Sequence, residues 1–64
     1  MNFGKNLKEL REKNNLSQIE LAKLLGINLE KVRRFEQAKQ KSIDFVVLEK
    51  IIKTLKCTYN DLFQ

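Results

Sequence analysis

LSQIELAKLLGINLEKVRRFE, Leu16 to Glu36, holds two apolar stripes at helical spacing with one glycine, Gly26, between them. Ser17 opens the first stripe and Glu20 follows three residues later, the pattern of a capping box. Ile19, Leu21, Ala22, Leu24 and Leu25 carry the helical pattern to Gly26, which ends it. Ala22 is small enough to let another helix cross closely. Asn28 is an N-cap for the second stripe, in which Val32 and Phe35 face inward. Leu29, Glu30, Arg33, Arg34 and Gln37 lie on or near the opposite side, with Lys31 at its margin.

Outward from this pair the same spacing of three and four continues, and no segment alternates at two. A helix is predicted over Phe3–Lys13, with Phe3, Leu7 and Leu10 inward and Asn14-Asn15 ending it. Leu16 then drops into the core as a staple. Ala38–Ser42 reads as a polar loop, and Asp44 caps a fourth helix with Phe45, Leu48, Ile51, Ile52 and Leu55 on its core stripe. Thr58 and Asp61 form a second capping box that opens a short fifth helix ending near Phe63. The expectation is an all-α, five-helix domain spanning residues 1–64, with short links of the kind found in compact helical domains.

Composition narrows the function. The 64 residues include one cysteine and no histidine, so neither an internal disulfide nor a structural zinc site is expected. No Gly-rich phosphate loop or nucleophile motif appears, and a general base near neutral pH is missing. The chain therefore reads as a non-enzyme without cofactor or metal, and Cys57 as a buried free thiol. The N-terminal MNFGKNLKELREK holds no apolar signal core, and no apolar run approaches the roughly 20 residues of a membrane helix. A cytoplasmic, membrane-free protein is expected.

The net charge is +5, and it is unevenly placed. Residues 25–41 carry five basic and two acidic side chains, whereas residues 42–64 carry three of each. The positive part of the chain coincides with the second stripe and the loop after it. A basic surface on a small domain points to nucleic acid or another anionic partner.

Two short helices joined through a glycine turn, the second with a basic outer face, have the form of a helix-turn-helix. A helix fits the major groove of B-DNA, where each base pair presents a distinct pattern of donors and acceptors. The preceding helix crosses the backbone and sets depth and angle. Its core is expected over about residues 17–37.

Nearly the whole chain resembles the phage-repressor-type helix-turn-helix family, the lambda, 434 and Cro-like (XRE-type) group. The matching elements are Leu7, Leu10-Arg11, Leu16-Ser17-Gln18, Leu21-Ala22, Leu25-Gly26, Val32, Phe35-Glu36, Leu55, Cys57 and Asp61-Leu62-Phe63. The resemblance implies a lambda-repressor-like fold and a sequence-specific regulator that binds double-stranded DNA, a repressor on a palindromic operator. Restriction–modification controllers, which activate or repress, are the neighbouring alternative. A protein-interaction module that has kept the fold is the alternative of a different class.

The resemblance also implies roles for residues. Gln18 holds a backbone phosphate. Arg11 and Glu36 form a largely buried structural salt bridge. Base reading falls to Asn28, Leu29, Glu30, Arg33 and Arg34. Either arginine suits guanine O6 and N7, and Leu29 suits a thymine methyl. Glu30 either accepts from cytosine N4 or repels phosphates at wrong sites. Lys31, Lys39 and Lys41 are assigned to phosphates. A homodimer is expected on DNA, using Leu55, Tyr59, Leu62 and Phe63, some of which must serve the core. Val46 and Val47 are the alternative surface, or else surplus core.

One departure from the family pattern concerns the end of the third helix. Glycine commonly stands two residues after Glu36, in a left-handed conformation; here that residue is Ala38. Alanine costs about 1–2 kcal/mol in that conformation, so this helix is expected to end differently.

Overall fold

Short polar side chains start four of the helices in the computed structural model, which describes residues 2–39 and 42–64. The described residues form α1 (Phe3–Lys13), α2 (Gln18–Leu25), α3 (Leu29–Glu36), α4 (Phe45–Leu55) and α5 (Tyr59–Phe63). Ser17 and Thr58 each accept from the N–H three residues on, at 3.0 and 3.2 Å, while Glu20 and Asp61 in turn accept from the cap N–H at 2.8 Å. Asn28 Oδ1 accepts from the Lys31 N–H and Asp44 Oδ1 from the Val46 N–H, both at 2.8 Å. Each cap satisfies an N–H that the helix itself leaves without a partner.

The helix ends share a second device. Asn15, Gly26, Ala38 and Lys56 have φ of 59°, 69°, 59° and 53°, the left-handed region. After each one, the next N–H reaches back into the helix: Leu16 to Arg11 O, Ile27 to Ala22 O, Lys39 to Arg34 O and Cys57 to Ile52 O, at 2.9–3.2 Å. These are Schellman closures. Ala38 therefore corrects the expectation for α3: the helix ends in the left-handed conformation despite lacking glycine, because the closure satisfies the Arg34 and Phe35 carbonyls at 2.9 and 3.2 Å.

Three of the links now read as one format: a left-handed residue, an apolar residue, a cap. Asn15-Leu16-Ser17, Gly26-Ile27-Asn28 and Lys56-Cys57-Thr58 all follow it. The apolar residue closes one helix and staples the next, since it precedes the cap and packs on the core near the fourth helical residue. Those fourth residues, Leu21, Val32 and Leu62, are 0% exposed. This gives Cys57 its place. Burial and then the Asp61 carboxylate push its thiol pKa up, away from the reactive thiolate.

The core is Leu7, Leu21, Ala22, Leu25, Val32, Phe35, Leu48, Ile51, Leu55 and Leu62. Phe45 departs from its expected place: it is 69% exposed. It stands at the first position of α4, and Ile43, just before the cap, packs against the core in its stead. Val47 also packs partly against the core, whereas Val46 is exposed. Leu55 and Leu62, proposed for a dimer surface, are 2% and 0% exposed. They belong to the core of one chain and present no surface to a second.

Candidate nucleic-acid interface

The position of α3 is set from behind by two contacts. The first is Gly4, buried in α1: a Cβ built there would lie 2.6 Å from Phe35 O and 2.8 Å from Glu36 O. Only a glycine lets α1 cross the C-terminal turn of α3 this closely. Gly4 is not legible as a site residue from the sequence; its one signal is that a glycine inside a helical pattern lowers helix stability and so points to a packing reason.

The second is an ionic cluster. Arg11 is 8% exposed. Its Nε donates to Glu36 Oε2 at 2.6 Å, its Nη2 to Glu36 Oε1 at 3.3 Å, and its Nη1 to Leu16 O at 2.7 Å. Gln18 Nε2 donates to the same Glu36 Oε1 at 3.0 Å. One carboxylate thus ties α1, the first turn of α2 and the end of α3 together. The two-pronged geometry is the strong form of the arginine–carboxylate pair. Among the described residues no buried side-chain nitrogen or oxygen is left without a partner, so the burial of two charges is compensated.

The front of α3 carries no core duty. Asn28, Glu30, Arg33 and Arg34 are exposed, and Leu29 and Lys31 are half-buried. Arg33 Nη1 lies 3.9 Å from Glu30 Oε1. Asn28, Glu30, Lys31 and Arg34 together line a shallow depression of about 290 Å³. The acid in the first turn and the arginines in the last also suit the helix dipole.

Of the other residues singled out, Gln18 sits at the first position of α2, with one amide N–H turned toward Glu36 and its carbonyl oxygen outside that bond. Lys39 is exposed just beyond α3. Lys41 lies outside the described residues. Tyr59 is 58% exposed and stacks on the half-buried Phe63 at 4.5 Å. Phe63 stacks in turn on Phe3 at 5.1 Å, and Phe3 meets Phe35 edge-on at 5.9 Å. Among the described residues no group of three metal-ligating side chains comes together.

A rigidly backed helix with an exposed, donor-rich face beside a second helix's N-terminus is suited to an anionic, patterned surface. The family model described as Cro/C1-type HTH DNA-binding domain matches residues 6–64. Among curated proteins none matches the sequence.

Proposed function

Because the chain belongs to the Cro/C1-type helix-turn-helix family of DNA-binding domains, we propose that it is a sequence-specific regulator that represses transcription as a homodimer on a palindromic operator. The observation that carries the reading is the outward face of α3. Asn28, Glu30, Arg33 and Arg34 are exposed there, on a helix held by the buried Arg11–Glu36–Gln18 cluster. Side chains that read bases must be held to a fraction of an ångström by the elements behind them.

In this reading α3 enters the major groove. Arg33 or Arg34 meets guanine, Leu29 a thymine methyl, and Asn28 a neighbouring base edge. The first N–H groups of α2 and the outward part of the Gln18 amide meet a phosphate, which a helix N-terminus attracts. Lys31, Lys39 and Lys41 add sequence-independent attraction to the backbone. Occupancy of the operator then excludes polymerase. The role places the protein in the cytoplasm; no helix among the described residues is long and apolar enough to cross a membrane.

Pairing of two copies is supported by Tyr59 and Phe63, the two of the proposed contact residues with surface to offer. A two-fold dimer sets its reading helices one DNA turn apart, about 34–36 Å. A second reading, a module that binds another protein, is favoured by one observation: Phe45 and Val46 expose 69% and 57% of their surface side by side at the start of α4.

Selection of binding sites from random duplexes at stated salt, followed by footprinting and sedimentation, tests this. The expected result is a palindromic site holding two chains per duplex. One chain on a site without a dyad would remove the dimer. Equal binding to all duplexes would remove the sequence specificity, and no binding to any duplex would leave the protein-interaction reading.

A further inference from the structure

We infer that Glu30 and Arg34 together read one G·C base pair, with Arg33 holding the Glu30 carboxylate in position. This rests on the DNA-binding reading above and gives it a chemical content. Residues four apart leave a helix on the same face, one turn from each other. Glu30 and Arg34 accordingly line the same depression, with Asn28 and Lys31 beside them.

The hydrogen-bonding inventory of that depression is unequal. Lys31 and Arg34 are donors only. Asn28 spends its carbonyl oxygen on the Lys31 N–H at 2.8 Å, which leaves its amide N–H groups for a partner. Glu30 is the one pure acceptor in the set. A phosphate does not fit this arrangement, because an exposed carboxylate repels it. The major-groove edge of a G·C pair does fit: guanine shows two acceptors, N7 and O6, and cytosine places its N4 donor next to them. Arg34 suits the first and Glu30 the second. Thymine in place of cytosine would turn its O4 acceptor toward the carboxylate, leaving a desolvated charge without a bond.

The arginines divide the work. Arg33 lies 3.9 Å from Glu30, three residues along the helix. In water such an exposed pair is weak. On DNA, with water displaced, the guanidinium offsets a charge that would otherwise oppose the phosphates, and the attraction grows as the dielectric falls. Among the described residues no carboxylate lies within 4.0 Å of Arg34, so both prongs of its fork remain available to guanine.

The test is a panel of duplexes in which each pair of the selected site is replaced in turn, bound by the full chain and its variants. These side chains are solvent-exposed, and thermal melts verify that each variant folds. Wild type should lose roughly 5- to 150-fold in affinity when one particular G·C pair becomes A·T or T·A. Glu30→Ala should abolish that discrimination while binding unrelated duplex as tightly as wild type or more so. Arg34→Ala should lose discrimination at the same pair, and the double variant should lose no more. Arg33→Ala should weaken the preference at that pair, with Arg33→Lys restoring it. An unchanged base preference in Glu30→Ala, or effects of Glu30 and Arg34 at different pairs, would overturn the proposal and leave DNA binding standing. Binding of wild type to all duplexes without preference would overturn the proposal and leave non-specific DNA binding, and failure to bind any duplex would remove the DNA reading and the proposal together.

Discussion

Gly4 and Phe35 meet backbone to backbone: a Cβ on Gly4 would fall 2.6 Å from the Phe35 carbonyl oxygen. In an open helix, replacing glycine by alanine gains about 1 kcal/mol. Here the added methyl has no side chain to push aside, only the carbonyls of α3. Overpacking of this kind costs about 1–3 kcal/mol and shifts backbone. Gly4→Ala is therefore expected to lower stability and to weaken DNA binding beyond the loss of folded protein, because α3 is displaced. Urea melts and binding measured at saturating folded fraction check both. A more stable variant would mean that the two helices can part without cost.

Glu36 answers to three donors, so its removal strands two side chains at once. Glu36→Ala is expected to lose about 3–5 kcal/mol, most of it from an unpaired buried Arg11. A domain of this size has little more than that to lose. Glu36→Gln keeps the shape and one acceptor, and should fall between the variant and wild type. Denaturant melts decide it, and a loss under about 0.5 kcal/mol in Glu36→Ala would show that Arg11 reaches water instead.

The left-handed Ala38 offers a gain. Glycine adopts φ near +59° without the penalty alanine meets. Ala38→Gly should raise stability by about 0.5–1 kcal/mol despite the greater freedom of glycine in the unfolded chain. Ala38→Val, branched at Cβ, should lower it. Paired thermal melts give the sign of each.

Acid should act on the two capping boxes. The Ser17 backbone N–H, then its hydroxyl, lowers the Glu20 pKa from its ordinary 4.5, and Thr58 acts in the same way on Asp61, ordinarily 3.8. A carboxyl with a lowered folded pKa stabilises the fold above its unfolded pKa and loses that contribution as pH falls through the folded one. Stability is thus expected to decline from the ordinary carboxylate range downward. Glu20→Gln combined with Asp61→Asn should start lower at neutral pH and decline less steeply. An unchanged acid slope in the double variant would place the sensitivity elsewhere.

Lys39 separates attraction from recognition. Its replacement by alanine should weaken binding to all duplexes alike and reduce the slope of log affinity against log salt by about one. A change confined to one base pair would move Lys39 from the backbone to the groove.

Some of this is legible in the sequence alone, and the reasons are physical. Ser17 with Glu20, Asn28, Asp44, and Thr58 with Asp61 act on N–H groups two or three residues away, so a local pattern suffices to find them. The left-handed residues Asn15 and Lys56 are another matter. Their conformation is imposed by where the next apolar residue must go, which only tertiary packing decides. Phe45 sits at an inward period yet is exposed, because helical period extends a stripe past the point where the core ends. Leu62 could not be told from Tyr59 and Phe63 for a related reason: a five-residue helix is too short for its pattern to declare an inner face. Gly4 carried a cue, but no cue to its partner.

The bond from Asn6 Nδ2 to Leu62 O, at 2.9 Å, and the stack of Phe3 on Phe63 join residues from opposite ends of the chain. During synthesis α1 must wait for α5. The links between helices are local and can close as they emerge, yet Phe3 finds its second aromatic neighbour only when residue 63 is outside the exit tunnel. The wedge of Phe3 between Phe63 and Phe35 therefore closes only after α5 has emerged, and the seating of α3 is completed with it.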